Sequence, residues 1–189
     1  MTTNLLFLCV ANRVRSPFAE FYLRDTFSKR DDDIIVSSAG FFPRALKNHL
    51  AECEISSPDP FYGRSMSELT RSSLLEKGIL MPEDWRSREM TAEMLMGADL
   101  VITALPVQKE ELLDQYQEAR DKIFLIGDLI GMDENLFFEE ITMVPFDDDF
   151  WYNCEENPGY VLKTFRILQE SLIKAIPAII DKLETRKRK

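Results

Sequence analysis

Short apolar runs alternate with longer amphipathic stretches along this chain. Leu5-Leu6-Phe7-Leu8 is continuously apolar, the mark of a strand buried on both faces, and predicts a strand over residues 4–10. Phe18, Phe21, Tyr22 and Phe27 fall mostly on one face of a helix over 18–29. Ile34-Ile35-Val36-Ser37 reads as a second strand, ended by Ser38-Ala39-Gly40. Residues 41–63 hold three prolines and His49 and read as a long irregular segment. Helical spacing returns over 66–78, where Gly78 supplies a stop. Residues 98–103 read as a third strand, 106–122 as a helix with Pro106 in its first turn, and 123–126 as a fourth strand. After a mixed, aromatic stretch, 127–157, a last helix is expected over 161–183. Val161, Phe165, Leu168 and Leu172 stand at its core spacing, and Pro177 should kink it or end its first part.

Alternating strands and helices imply an α/β fold: a single domain whose four-stranded parallel sheet carries helices on both faces. No linker or repeat divides the chain. Residues 1–184 are expected to form the domain, and the basic tail 185–189 to fray.

Composition narrows the function. A net charge of −10 over 189 residues argues against a general nucleic-acid binder. No apolar run is long enough for a membrane span, and no signal peptide is evident at the N-terminus. Three cysteines make an unlikely disulfide framework, so a cytoplasmic setting is expected. With one histidine, His49, metal sites built on two histidines are excluded. No metal and no cofactor is expected.

The chemistry concentrates in Cys9-Val10-Ala11-Asn12-Arg13-Val14-Arg15-Ser16, between the first strand and the first helix. Such a loop aims successive backbone N–H groups at one point beside the positive end of a helix dipole. An oxyanion binds at that point, and a cysteine facing it is favoured as a thiolate. An arginine closing the loop can fork onto two phosphate oxygens. Strand one also ends where ligands bind in open α/β sheets.

Cys9, five residues, Arg15 and Ser16, together with Asn12 and the following Pro17, Ala19 and Glu20, resemble the phosphate loop of the low-molecular-weight protein tyrosine phosphatases. Ser38-Ala39-Gly40 resembles a second family string, and the resemblance covers most of the chain. Two positions depart. Ala11 stands where the family usually has glycine, and alanine resists positive φ. Val14 stands where it often has a second cysteine.

The resemblance implies a metal-independent cysteine phosphatase acting on phosphotyrosine in proteins or on small aryl phosphates. Cys9 would be the nucleophile, and Arg15 with the amides of Val10, Ala11, Asn12, Arg13 and Val14 would hold the phosphoryl oxygens. Ser16 would assist the sulfur as leaving group, and Ser38 would support the loop through Asn12. Phosphate, sulfate or vanadate should occupy the same loop. The family's general acid is an aspartate after the fourth strand, followed by proline and aromatics. Here Asp147-Asp148-Asp149-Phe150-Trp151-Tyr152 has the right place but no proline. Asp149 is preferred narrowly over Asp148, and crowded carboxylates favour a retained proton. Asp59-Pro60-Phe61-Tyr62 matches the string but lies in the second connection. Arg86 and Arg88 read as exposed or paired with carboxylates.

Two other functions stay open. An arsenate reductase shares the loop but needs resolving cysteines, and Cys53 and Cys154 lack paired spacing. A catalytically weak phosphate-binding module would fit Ala11, the missing proline and the long 41–63 segment.

Overall fold

The computed structural model describes residues 2–30, 32–52, 62–132 and 158–187. Four parallel strands form one sheet in the order β2-β1-β3-β4. They are β1 (Thr3–Cys9), β2 (Ile34–Gly40), β3 (Leu100–Thr103) and β4 (Ile123–Leu125). β1 is central, pairing with β2 from Thr3 opposite Ile34 to Cys9 opposite Gly40, and with β3 from Leu5 to Leu8. Both its faces are covered, which explains the unbroken apolar run. Leu5, Phe7 and Cys9 join a core under α1 (Arg15–Lys29), α3 (Glu68–Glu76), α6 (Ile126–Ile130) and the last helix. Leu6 and Leu8 point the other way, into a second core with α4 (Ala92–Gly97), α5 (Pro106–Gln115) and a 3-10 turn (Gln117–Lys122). The expected single α/β domain, with helices on both faces, is thus the observed one.

Several boundaries differ from the sequence reading. The segment 41–63 is not wholly irregular, because α2 spans Arg44–Glu52. Phe42 and Leu46, four apart and both buried, pack with Val10 and Leu105, and Leu50 continues the same spacing, so a helical signal was present in a stretch that its prolines made look irregular. The expected 106–122 helix breaks at Tyr116 between α5 and the 3-10 turn. α3 matches its signals closely: the Ser67 hydroxyl caps the Thr70 N–H, and Gly78 adopts φ +71° just past its end.

The last helix, α7 (Pro158–Lys187), does not end at Pro177 but continues past it and through much of the expected frayed tail. Proline removes the partner of the Ile173 carbonyl, but Ile173 is 49% exposed, so water can replace that bond. Leu168, Leu172, Ala175, Ile179 and Leu183 are buried at helical spacing and hold both halves against one core. Arg186 pairs with Asp121 at 2.8 Å and ties down the end. Among the described residues no helix is long and apolar enough to cross a membrane.

Candidate active site

β1 delivers Cys9 to the C-terminal edge of the sheet, and α1 begins six residues later at Arg15. Val14 precedes that helix and offers no capping side chain, so the first N–H groups of α1 keep their capacity for an anion. Pro17 lies in the first turn, where its missing N–H costs nothing. Among the described residues, the one non-glycine residue with positive φ is Asn12, at +51°. The left-handed turn therefore falls on an asparagine, which tolerates it, and Ala11 escapes it.

A buried chain of hydrogen bonds runs behind the loop. Asn12, Ser16 and Ser38 are fully buried, and Glu20 is nearly so. The Asn12 amide donates to Ser16 Oγ at 2.9 Å and to Ser38 Oγ at 2.8 Å. Its Oδ1 accepts the Arg88 backbone N–H at 3.0 Å. Ser38 Oγ donates to Glu20 Oε2 at 2.6 Å. Ser16 Oγ stands 2.9 Å from Cys9 Sγ.

The proton count gives this chain a direction. Both Asn12 amide protons are committed, so each serine accepts one and keeps its own to give. Ser38 spends its proton on Glu20. Ser16 can turn its proton to the sulfur, which as a thiolate only accepts. Burial raises the Glu20 pKa above its ordinary 4.5, opposed by the Ser38 hydrogen bond and the charges of Arg88 and Arg24. Arg88 also donates from Nε to the Ser38 carbonyl at 2.8 Å.

The outer side of the loop is tied as firmly. The Cys9 carbonyl accepts from the Phe41 N–H at 2.8 Å, and the Arg13 carbonyl from the Ser67 N–H at 3.0 Å. Arg13 Nε donates to the Ser65 carbonyl at 3.0 Å, and Thr70 Oγ1 approaches both the Arg13 and Val14 carbonyls at 3.4 Å. Carbonyls held outward leave the following N–H groups facing the other way, because each peptide is planar and trans.

The structure thus brings together Cys9, Val10, Ala11, Asn12, Arg13, Val14, Arg15, Ser16 and Ser38. The candidate acids Asp147, Asp148, Asp149 and Asp59 lie outside the described residues, as do Cys53 and Cys154. Among the described residues, no cluster of histidine, cysteine and carboxylate side chains is arranged for a metal ion. Arg88 is half-exposed and pairs with Glu20 at 3.9 Å, as the sequence led one to expect, but its contacts with the loop were not foreseen, and Tyr62 and Glu20 figured only as parts of strings. For Glu20 a signal was present: an acid among the apolar positions that α1 buries.

A buried thiol at the mouth of an amide-lined loop, on a four-stranded parallel sheet, belongs to the cysteine-based phosphatases. The chain belongs to the low molecular weight phosphotyrosine protein phosphatase family, whose family model matches residues 4–136. It is therefore a cysteine-based protein phosphatase acting on phosphate-containing substrates. It is 26% identical over 127 residues to the protein-arginine-phosphatase of Bacillus subtilis (strain 168), covering 67% of this chain and 72% of that one. Among solved structures it is similar to the low molecular weight protein tyrosine phosphatase of T. tengcongensis. That match has 27% identity and a TM-score of 0.58, covering 87% of this chain and 99% of the other. A low molecular weight protein tyrosine phosphatase from Bacillus subtilis shares the fold at 22% identity and a TM-score of 0.63, covering 95% and 98%.

Proposed function

We propose that this protein hydrolyses phosphotyrosine, in proteins or as small aryl phosphates, through a cysteinyl-phosphate and without a metal. The observation that carries the reading is Cys9 Sγ placed 2.9 Å from Ser16 Oγ at the start of a loop whose Cys9 and Arg13 carbonyls are tied by the Phe41 and Ser67 N–H groups. The Cys9 thiolate attacks phosphorus in line; a P–S bond forms as the bond to the phenolic oxygen breaks. Arg15 and the amides from Val10 to Val14 stabilise the equatorial oxygens, where charge accumulates. Asp149, with Asp148 as its rival, gives the phenolate its proton and then takes one from the attacking water. Water adds to phosphorus, the P–S bond breaks, and the departing thiolate accepts a hydrogen bond from Ser16. Asn12 and Ser38 hold the loop in shape throughout. Three cysteines in a long chain suit a reducing cytoplasm.

A second substrate class has its own support. The arginine phosphatase relative makes phosphoarginine the alternative. Its leaving group is a nitrogen base, which needs a proton from the acid as a phenolate does.

The deciding experiment measures phosphate release, in EDTA, from para-nitrophenyl phosphate, phosphotyrosine peptides and phosphoarginine peptides. Wild type, Cys9→Ser, Asp149→Asn and Asp148→Asn are compared. Turnover abolished by Cys9→Ser, with phosphotyrosine preferred, is the expected outcome. Preference for phosphoarginine replaces the substrate class, and turnover retained without the thiol sinks the mechanism.

A further inference from the structure

An amide that cradles an oxyanion must present its N–H, so the carbonyl of the same peptide points away. The Cys9 and Arg13 carbonyls are held in that sense by backbone N–H groups. The Val10 carbonyl is held by a side chain: it accepts from the Tyr62 hydroxyl at 3.3 Å. Tyr62 reaches it across Gly40. A Cβ at position 40 would overlap the Tyr62 ring and come within 2.7 Å of the Val10 oxygen. Gly40 is not among the glycines with positive φ, so space and not backbone freedom is what requires glycine there. Burial, followed by the negative charges of Glu89 and Cys9, pushes the Tyr62 phenol up, which keeps it protonated as a donor.

We propose that Tyr62 is a positioning residue of the phosphate loop: its hydroxyl pins the Val10 carbonyl outward and thereby aims the Ala11 N–H into the oxyanion cradle, across a Gly40 kept bare for it. The role rests on the phosphate-loop reading above. Tyr62 acts through the Val10–Ala11 peptide, and no contact between it and the phosphoryl group is invoked. Losing the hydroxyl lets that peptide rotate and weakens one equatorial contact, which matters most to a species resembling the transition state.

The test is vanadate inhibition of para-nitrophenyl phosphate hydrolysis by wild type, Tyr62→Phe and Gly40→Ala, with thermal unfolding measured alongside. Tyr62→Phe keeps the ring and its packing and loses one oxygen. Its vanadate inhibition constant should rise about 5- to 10-fold, with Tm within about 2 °C of wild type. A role in folding alone would reduce the active fraction and leave that constant unchanged. Gly40→Ala keeps the phenol but displaces it from the Val10 carbonyl. It should weaken vanadate at least as much, because its Cβ crowds both the phenol and the Val10 oxygen. If Tyr62→Phe does not fold, Tyr62→Leu, which keeps apolar bulk and lacks the hydroxyl, takes its place with the same expected rise. An unchanged constant in the folded variants overturns the positioning role. A wild type that neither turns over nor binds vanadate overturns the phosphate-loop reading itself, which is a separate result.

Discussion

The two ends of the β1–β2 pair treat polar groups in opposite ways. At the N-terminal end, Lys29 pairs with Asp25 at 2.6 Å and Arg30 with Asp32 at 2.8 Å, all partly or largely in water. At the C-terminal end, Asn12, Ser16, Ser38 and Glu20 are buried and bonded to one another in sequence. Bond lengths at the two ends are alike, but their consequences are not. An exposed ion pair trades hydration for a contact of similar worth, so it contributes little. A buried polar group has no water to fall back on, so each missing partner leaves an unsatisfied atom. The distances alone would mark both ends as well bonded; burial decides which one specifies geometry.

The contrast is sharpest where charge must be shared in the transition state. Arg15→Lys keeps the charge and loses the planar fork, and kcat/KM should fall by about 100-fold or more with little change in Tm. Steady-state kinetics beside a melting curve checks this, and near-normal turnover would remove Arg15 from the clamp.

Asn12→Ala attacks the buried end directly. It deletes both amide donors, leaves the Arg88 N–H without its acceptor, and puts alanine at φ +51°. The combined loss should be about 3 kcal/mol in urea unfolding. Asn12→Gly shares the lost bonds but not the strain, and should recover about 1 kcal/mol of it. Equal losses in the two variants would show that the left-handed backbone costs nothing here.

Glu20 gives a subtler test through pH. Its native carboxyl holds a proton to higher pH than the unfolded chain, where it titrates near 4.5. Between those two points the native state binds more protons, so unfolding free energy falls as pH rises. Glu20→Gln lacks this slope. Tm of the variant relative to wild type should therefore climb as pH rises from 4.5, from a starting deficit set by the lost Ser38 acceptor. Parallel Tm profiles would contradict the burial effect.

The smallest expected change belongs to the other end. Lys29→Ala should alter stability by less than about 0.5 kcal/mol and activity not at all. A loss comparable to Asn12→Ala would erase the distinction between the two ends.

The parts of the site legible in the sequence are those that are contiguous. Cys9 to Ser16 spans eight residues, and the apolar run before it fixes which end of the strand they occupy. Ser38 was reachable through a second string. Arg88 and Tyr62 were not: they meet the loop across 76 and 52 residues, and one end of each contact is backbone. A bond from a main-chain N–H or to a main-chain carbonyl leaves no demand on residue type at that end, so spacing cannot reveal it. In the fold, α1 announced itself with four aromatics at helical spacing, whereas the Phe42, Leu46 and Leu50 spacing that leads into and through α2 is short and sits beside Pro43, so it was passed over.

By itself the sequence determined the alternation of strand and helix, the parallel sheet buried on both faces, and a thiol, an arginine and a serine at the end of the first strand. These follow from local periodicity and from residues adjacent in the chain. Tertiary structure alone decided that α7 continues past Pro177, that the left-handed turn falls on Asn12 and not Ala11, and that Arg88 and Tyr62 meet the loop, at Asn12 and at the Val10 carbonyl. Each of those outcomes depends on what water can or cannot reach once distant segments pack, and burial of that kind is a property of the assembled fold.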